Sequence, residues 1–188
     1  MLSFNKVIIG CWIVFWLYWL ISAHGTKRNT KPQMKRFFGI RLCIFLLAVI
    51  LFRVINIQNY SFQNHLATHN ELVLTAGFVI FLLGLFTAIW ARVHLGKNWG
   101  MPMSTKQNPE LVTSGPYHYI RHPIYTGILL AMVGSSLASS FIWLTIFAIA
   151  GIYFVYSAIQ EEKIMTKQFP KVYPSYKSKT KMLIPFIF

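Results

Sequence analysis

The stretch IYTGILLAMVGSSLASSFIWLTIFAIAGIYFVYSAI, residues 124–159, decides the fold, for it holds no Asp, Glu, Lys or Arg. A helix crossing a hydrocarbon core roughly 30 Å thick needs about 20 apolar residues. As one helix this stretch would overshoot the bilayer. As two, Ile124–Ala138 and Phe141–Ile159 broken at Ser139-Ser140, it forms a tight helical hairpin. Gly134, Ser135, Ser136, Ser139 and Ser140 at its tip are small enough to let two helices approach closely.

Three further apolar blocks lie upstream, Val7–Ala23, Phe38–Ile57 and Leu72–Ala91. Of the 188 residues 55% are hydrophobic and only 12% charged, which excludes a disordered chain and is too apolar for one soluble core. The fold expected is all-α: a polytopic membrane protein with five transmembrane helices, the last two a hairpin, followed by a cytosolic C-terminal segment. Residues 1–188 read as one membrane domain, with no internal repeat. The first span lacks a small-residue cleavage site and reads as a retained helix, and the closing Phe186-Ile187-Phe188 carries no prenylation box.

Lys and Arg number 18 against 4 Asp and Glu. Every base except Lys6 and Arg53 falls in residues 24–41, in 92–123 or after Ile159. Because cytoplasmic loops retain Lys and Arg, this alternation puts the N-terminus outside and the C-terminus in the cytosol. That membrane is the plasma (inner) membrane of a prokaryote or the endoplasmic reticulum of a eukaryote. The 92–123 loop and the tail then share the cytosolic face, and a site there is built from both. The charge flanks membrane spans, so it reads as topology and attraction to anionic membrane lipids, with no nucleic-acid partner. Cys11 and Cys43 lie inside spans, with neither zinc spacing nor a disulfide framework. His65 and His69 are four apart without a third ligand nearby, and no metal site is expected. Trp12, Trp16 and Trp19 recur at helical spacing and read as packing or lipid-facing anchors.

The chemistry concentrates in residues 111–125, Leu-Val-Thr-Ser-Gly-Pro-Tyr-His-Tyr-Ile-Arg-His-Pro-Ile-Tyr. Gly115-Pro116 marks a turn, and Pro123 suits a first helical position with His122 as the cap. Two readings of Arg121-His122-Pro123 stand side by side. One is an interfacial anchor and helix start; the other is an anion site made of free backbone N–H groups, the helix dipole and Arg121. Glu161-Glu162, half of all the acids, follow the last span. They either pair with Lys163 and Lys167 or meet a cationic or hydroxyl-bearing ligand. A hairpin returns residues 121–125 and 160–162 to one membrane face, and an anion site beside an acid pair suits a zwitterion.

The ordered set Leu111-Val112-Thr113-Ser114-Gly115-Pro116-Tyr117, Arg121-His122-Pro123-Ile124-Tyr125, Glu161-Glu162, Phe169, Tyr173, Tyr176 and Leu183-Ile184-Pro185 resembles the C-terminal signature of the isoprenylcysteine carboxyl methyltransferase family. That family is related to the phospholipid N-methyltransferases. Leu95-Gly96-Lys97-Asn98-Trp99 resembles the stretch such proteins place after their third span. The resemblance covers roughly residues 84–188. It implies S-adenosylmethionine as methyl donor, S-adenosylhomocysteine as product, and a cytosol-facing pocket under the hairpin. Carried over by position, Pro109, Glu110, Leu111, Val112 and Tyr117 line the adenosine side, while His122, Pro123, Ile124 and Tyr125 hold the cofactor near the helix start. Glu161 and Glu162 contact its polar groups, and Arg121, His122 and Glu161 are the catalytic candidates. Asn98, Trp99, Tyr153, Tyr156 and Ser157 are the substrate-facing candidates, with interhelical packing an equal reading for the tyrosines. Ser157 stands where the resemblance leads one to expect an Arg that meets a substrate carboxylate.

The acceptor is expected to be lipid-like and to enter from the bilayer, since each methylene drawn into water costs about 0.8 kcal/mol. An isoprenylcysteine-type carboxylate comes first and a phospholipid amine second. A nicotinamide-dependent sterol-type reductase and a non-catalytic membrane scaffold are the readings from other classes. A monomer suffices for any of these, and the sequence leaves the oligomeric state open.

Overall fold

The computed structural model describes residues 4–24, 26–27, 70–100, 107–140 and 142–187. The expected second span 38–57, with Cys43, Arg53, His65 and His69, lies outside the described residues. Within them the protein is helical, with five α-helices: α1 (Phe4–Ser22), α2 (Glu71–Leu95), α3 (Pro123–Ala138), α4 (Ile142–Gln168) and α5 (Tyr173–Lys179). Single 3-10 turns occupy Gly96–Asn98 and Gly115–His118. Three helices are long and apolar enough to cross a membrane: α1, α2 with its following turn, and α4. At 16 residues α3 is shorter than the roughly 20 a perpendicular crossing requires.

Local chemistry sets the helix ends. Asn70 caps α2, its side chain accepting the Leu72 N–H at 2.9 Å, and Glu71 sits in the first turn, where the helix dipole favours an acid. Pro123 opens α3, where its missing N–H leaves nothing unpaired. α4 does not stop at Ile159, where the apolar run ends. It continues to Gln168 and carries Glu161 and Glu162 on its final turns, because Glu, Lys, Met and Gln after Ile159 are strong helix formers.

α3 is the buried centre of the bundle. Gly127, Ala131, Gly134 and Ala138 on α3 face Gly77, Phe81, Gly84 and Ala88 on α2, and the two backbones touch. A Cβ on Gly84 would stand 2.6 Å from the Gly127 carbonyl oxygen, and one on Gly134 would stand 2.6 Å from the Gly77 carbonyl oxygen. The small residues expected to join the last two helices therefore serve other neighbours. Gly134 admits α2, the Ser135 hydroxyl accepts the indole N–H of Trp12 on α1 at 3.1 Å, and Ser139 donates to Asn5 on α1 at 2.7 Å. Side chains here are removed from solvent on both partners, and close backbone approach is the stabilising device available between apolar helices.

α1 buries Ile8, Trp12 and Phe15, one helical stripe, and α4 meets it through the stacked Trp12 and Trp143 rings, 5.3 Å apart. The chain after α4 turns back beneath α3. Arg121 N–H donates to the Lys181 carbonyl at 2.8 Å and His122 N–H to the Met182 carbonyl at 3.1 Å, an isolated parallel bridge centred on Ile120 and Lys181. The Thr126 hydroxyl donates to Leu183 O at 2.6 Å and the Tyr176 hydroxyl to Tyr117 O at 2.7 Å. Residues 173–183 thus form a strap laid along the segment that precedes α3.

Gly134→Val is expected to destabilise the protein by about 1–3 kcal/mol, since overpacking forces the two backbones apart. Thermal unfolding of the detergent-solubilised protein measures this, and an unchanged midpoint would contradict the contact.

Candidate active site

A cavity of about 320 Å³ opens between the end of α1, the start of α3, the far half of α4 and the strap. Its builders follow from the fold. Trp16 and Trp19 reach it from α1, Leu95 from the end of α2, and Asn98, Trp99 and Gly100 from the turn beyond. Pro109, Glu110, Leu111 and Val112 cross it in an extended segment. Tyr117, Arg121, His122, Ile124, Tyr125 and Ile128 come from the turn and first helical turns after Gly115, and Phe154, Glu161, Met165 and Gln168 from α4. Tyr173 and Tyr176 of α5 complete the wall.

At its polar end the tyrosine hydroxyl of Tyr125 donates to Glu161 Oε1 at 2.6 Å. His122 Nδ1 lies 3.5 Å from Glu161 Oε2, and its Nε2 lies 3.7 Å from Glu162 Oε1. The His122 and Tyr125 rings are parallel with centroids 5.5 Å apart, and Tyr125 stacks in turn on Phe154 at 4.5 Å. Burial alone would push the His122 pKa down. The hydrogen-bonding and charge of Glu161 and Glu162 outweigh it and hold the imidazole above its ordinary value, favouring the charged ring. The Tyr117 phenol is pushed far up, first by burial and then by the Glu161 charge, so it stays a neutral donor.

Glu162 and Arg121 form a separate buried unit. Arg121 Nε donates to Glu162 Oε1 at 2.6 Å, and Lys177 Nζ meets Glu162 Oε2 at 2.6 Å. The other arm of Arg121 donates to the carbonyls of Thr180 and Lys177. Arg121 thus borders the cavity with its Nε and Nη1 engaged by Glu162 and the strap, whose carbonyls also take the N–H groups of Arg121 and His122, while no side chain caps α3. Glu162 is 3% exposed and lies off the cavity, held by Arg121 and Lys177 and not by Lys163 or Lys167.

At the opposite wall Trp99 packs edge-on to Trp19, 5.8 Å between centroids, with the Arg92 guanidinium over the Trp99 ring, 4.7 Å from its centroid. Arg92 is itself buried and donates to the carbonyls of Ser22 and Gly96, tying α1 to α2. Asn98 Nδ2 donates to Glu110 Oε2 at 3.1 Å, and Lys27 Nζ lies 3.2 Å from Glu110 Oε1. The Asn98 hydrogen bond, then Lys27, hold the exposed Glu110 carboxyl below its ordinary pKa. Two buried amide oxygens of cavity-lining residues, Asn98 Oδ1 and Gln168 Oε1, have no hydrogen-bond partner among the described residues, and His122 Nε2 has only the 3.7 Å approach of Glu162 Oε1. Leaving such atoms unpaired is costly in an apolar setting, and a polar ligand in the cavity would pair them.

The structure brings together most of the sequence-selected residues: Asn98, Trp99, Pro109, Glu110, Leu111, Val112, Tyr117, Arg121, His122, Ile124, Tyr125 and Glu161 all line the cavity. Pro123 is buried beside it as the first residue of α3. Tyr153, Tyr156 and Ser157 do not line it; Tyr156 is exposed, and Ser157 is fully buried with its hydroxyl unpartnered among the described residues. Trp16 and Trp19, read from the sequence as packing or lipid anchors, are wall residues. Ile128, Phe154, Met165 and Gln168 carried no signal in the sequence beyond their place on apolar or helical stretches.

A largely apolar cavity with one polar end, set among apolar helices, suits an integral membrane enzyme, and comparison with known proteins gives its class as methyltransferase. A family model described as phospholipid methyltransferase matches residues 72–172, more than half of the chain, and the chain belongs to that family. It is 30% identical over 200 residues to the protein-S-isoprenylcysteine O-methyltransferase of Saccharomyces cerevisiae, covering 98% of this chain and 80% of that one. To the enzyme of the same name in Schizosaccharomyces pombe it is 28% identical over 174 residues, covering 90% of this chain and 67% of the relative. The cobalt-zinc-cadmium resistance protein CzcN of Cupriavidus metallidurans is 27% identical over 118 residues, covering 62% and 50%.

Glu162→Gln is expected to cost about 3–5 kcal/mol, because it leaves Arg121 buried without its counter-charge. Limited proteolysis should then cut residues 173–183 far sooner than in the wild type; equal cutting rates would show that the ion pair does not hold the strap. A second outcome concerns His122. Its raised folded pKa makes its contribution complete below the unfolded value of about 6.5 and lost as pH climbs through the folded value. The melting temperature of the wild type should therefore fall relative to that of His122→Gln as the pH rises from about 6.5, and a pH-independent difference would mean that the folded pKa is not raised.

Proposed function

We propose that the protein transfers a methyl group from S-adenosylmethionine to a lipid-borne acceptor, in the cavity beside Glu161 and His122. The observation that carries this reading is a largely apolar pocket whose wall holds two unpartnered amide oxygens, Asn98 Oδ1 and Gln168 Oε1, and two carboxylates, Glu110 and Glu161. The residues fit such a donor. Its ammonium and ribose hydroxyls suit the carboxylates, its sulfonium charge suits the aromatic wall of Trp16 and Trp19, and the cavity is within the range of roughly 300–1,000 Å³ usual for small-ligand sites.

When bound, S-adenosylmethionine supplies an activated methyl group on a sulfonium sulfur. What remains for the chain is alignment and exclusion of water, effects that can lower a barrier by about 7–11 kcal/mol. The Tyr125 to Glu161 hydrogen bond and the His122–Tyr125–Phe154 stack fix the polar end. Ile128 and Phe154 add apolar surface beside that end, and the tryptophans line the opposite wall. A carboxylate nucleophile needs no general base, whereas an amine must first be deprotonated.

Residues 1–188 act as a single membrane methyltransferase domain. It is placed by five spans with the N-terminus outside and the cavity facing the cytosol, and the acceptor enters from the bilayer. The names of the two yeast relatives support an isoprenylcysteine-type carboxylate as the acceptor. A phospholipid amine is the second reading, and a specific observation favours it. The cationic side chains that line the cavity among the described residues, Arg121 and His122, already face carboxylates of the protein, and Ser157 offers no charge.

Purified protein given donor labelled on its methyl group should label lipid or protein extracts, and His122→Ala and Glu161→Ala should each reduce the label about a hundredfold through lost alignment. Base-labile label identifies an ester and base-stable label an N-methyl group. Labelling indifferent to both substitutions would place the chemistry elsewhere.

A further inference from the structure

Gln168 ends α4 and lines the cavity, yet its side-chain oxygen Oε1 is buried and has no hydrogen-bond partner among the described residues. A neutral amide carbonyl is a poor match for the charged and hydroxyl groups of the donor when carboxylates are available in the same pocket. Glu110 and Glu161 are those carboxylates. The other unpartnered amide oxygen, on Asn98, is held beside Glu110 by its own Nδ2 hydrogen bond. Gln168 stands in different company. Met165, Tyr173 and Tyr176 line the wall near it in sequence, and Tyr176 is tied by its hydroxyl to the carbonyl of Tyr117. Tyr173 and Tyr176 are themselves an edge-to-face pair with centroids 5.9 Å apart. Aromatic rings and a thioether make a polarisable wall suited to an aromatic heterocycle.

From this arrangement we propose that Gln168 is a specificity-determining residue for the nucleobase of the methyl donor, its side-chain carbonyl accepting a hydrogen bond from the exocyclic amine of adenine. The inference rests on the donor assignment made above. It follows that the pocket distinguishes adenine from hypoxanthine. Adenine presents an N–H donor at that position, whereas hypoxanthine presents a carbonyl oxygen, and two acceptors would then face each other in a site where water cannot intervene. Sites built to hydrogen-bond a ligand group reject the analogue that lacks it, because the buried protein partner is left unpaired.

The test is calorimetric binding of two compounds, S-adenosylhomocysteine and its deaminated counterpart S-inosylhomocysteine, to the full chain in nanodiscs. The wild type is expected to prefer the adenine compound by about tenfold or more. In Gln168→Met, which keeps the length of the side chain and removes the acceptor, the preference should shrink to about twofold or less, mainly by weakening the adenine compound. Gln168→Glu retains an acceptor and should retain the preference. If Gln168→Met does not fold, Gln168→Ala replaces it with the same expectation. Equal binding of the two compounds by the wild type, or an undiminished preference in the acceptor-free variant, overturns the inference alone. Binding of neither compound by the wild type overturns the donor assignment, and this inference with it.

Discussion

The ion pair between Arg121 and Glu162 is the constraint on which the cavity depends. It joins three stretches of chain far apart in sequence: the corner before α3, the last turns of α4 and, through Lys177 and the Thr180 carbonyl, the strap. Both partners are nearly removed from solvent, so the pair cannot be exchanged for hydration without exposing an unbalanced charge. Because Glu161 adjoins Glu162 on the helix, fixing one acid presents the other to Tyr125 and His122. The two acids thus divide the labour, one structural and one facing the cavity.

That division explains which parts of the site were legible in the sequence. The order Arg121-His122-Pro123 and Glu161-Glu162 shows two polar clusters set against apolar surroundings, and such clusters are costly enough near a membrane to imply a purpose. Which cluster member faces inward is a matter of helical phase and of what the strap does, and neither is written in the local pattern. The same holds for Trp16 and Trp19. A stripe at helical spacing announces a shared face, but whether lipid, protein or a cavity lies opposite depends on α2 and its following turn, more than seventy positions away in the chain. Gln168 had no pattern at all, being a polar residue at a helix end where polar residues are ordinary.

The fold shows a similar limit. Apolar length located α1, α2 and α4, and Pro123 located the start of α3. The small residues of α3 announced a close approach without naming the partner: they meet α2 across Gly77 and Gly84, while the serines at the far end of α3 answer α1. α4 outruns its apolar stretch for a physical reason. Hydropathy measures where a segment ceases to be apolar, whereas a helix ceases where its backbone loses partners, and Gln160–Gln168 retain theirs.

The length of α4 has a consequence for where the cavity lies. From Ile142 to Glu161 a helix rises about 28 Å at 1.5 Å per residue, close to the thickness of a hydrocarbon core of roughly 30 Å. A helix so proportioned is a depth gauge. Crossing a bilayer upright, it carries Glu161 and that wall of the cavity one hydrocarbon thickness away from Ile142.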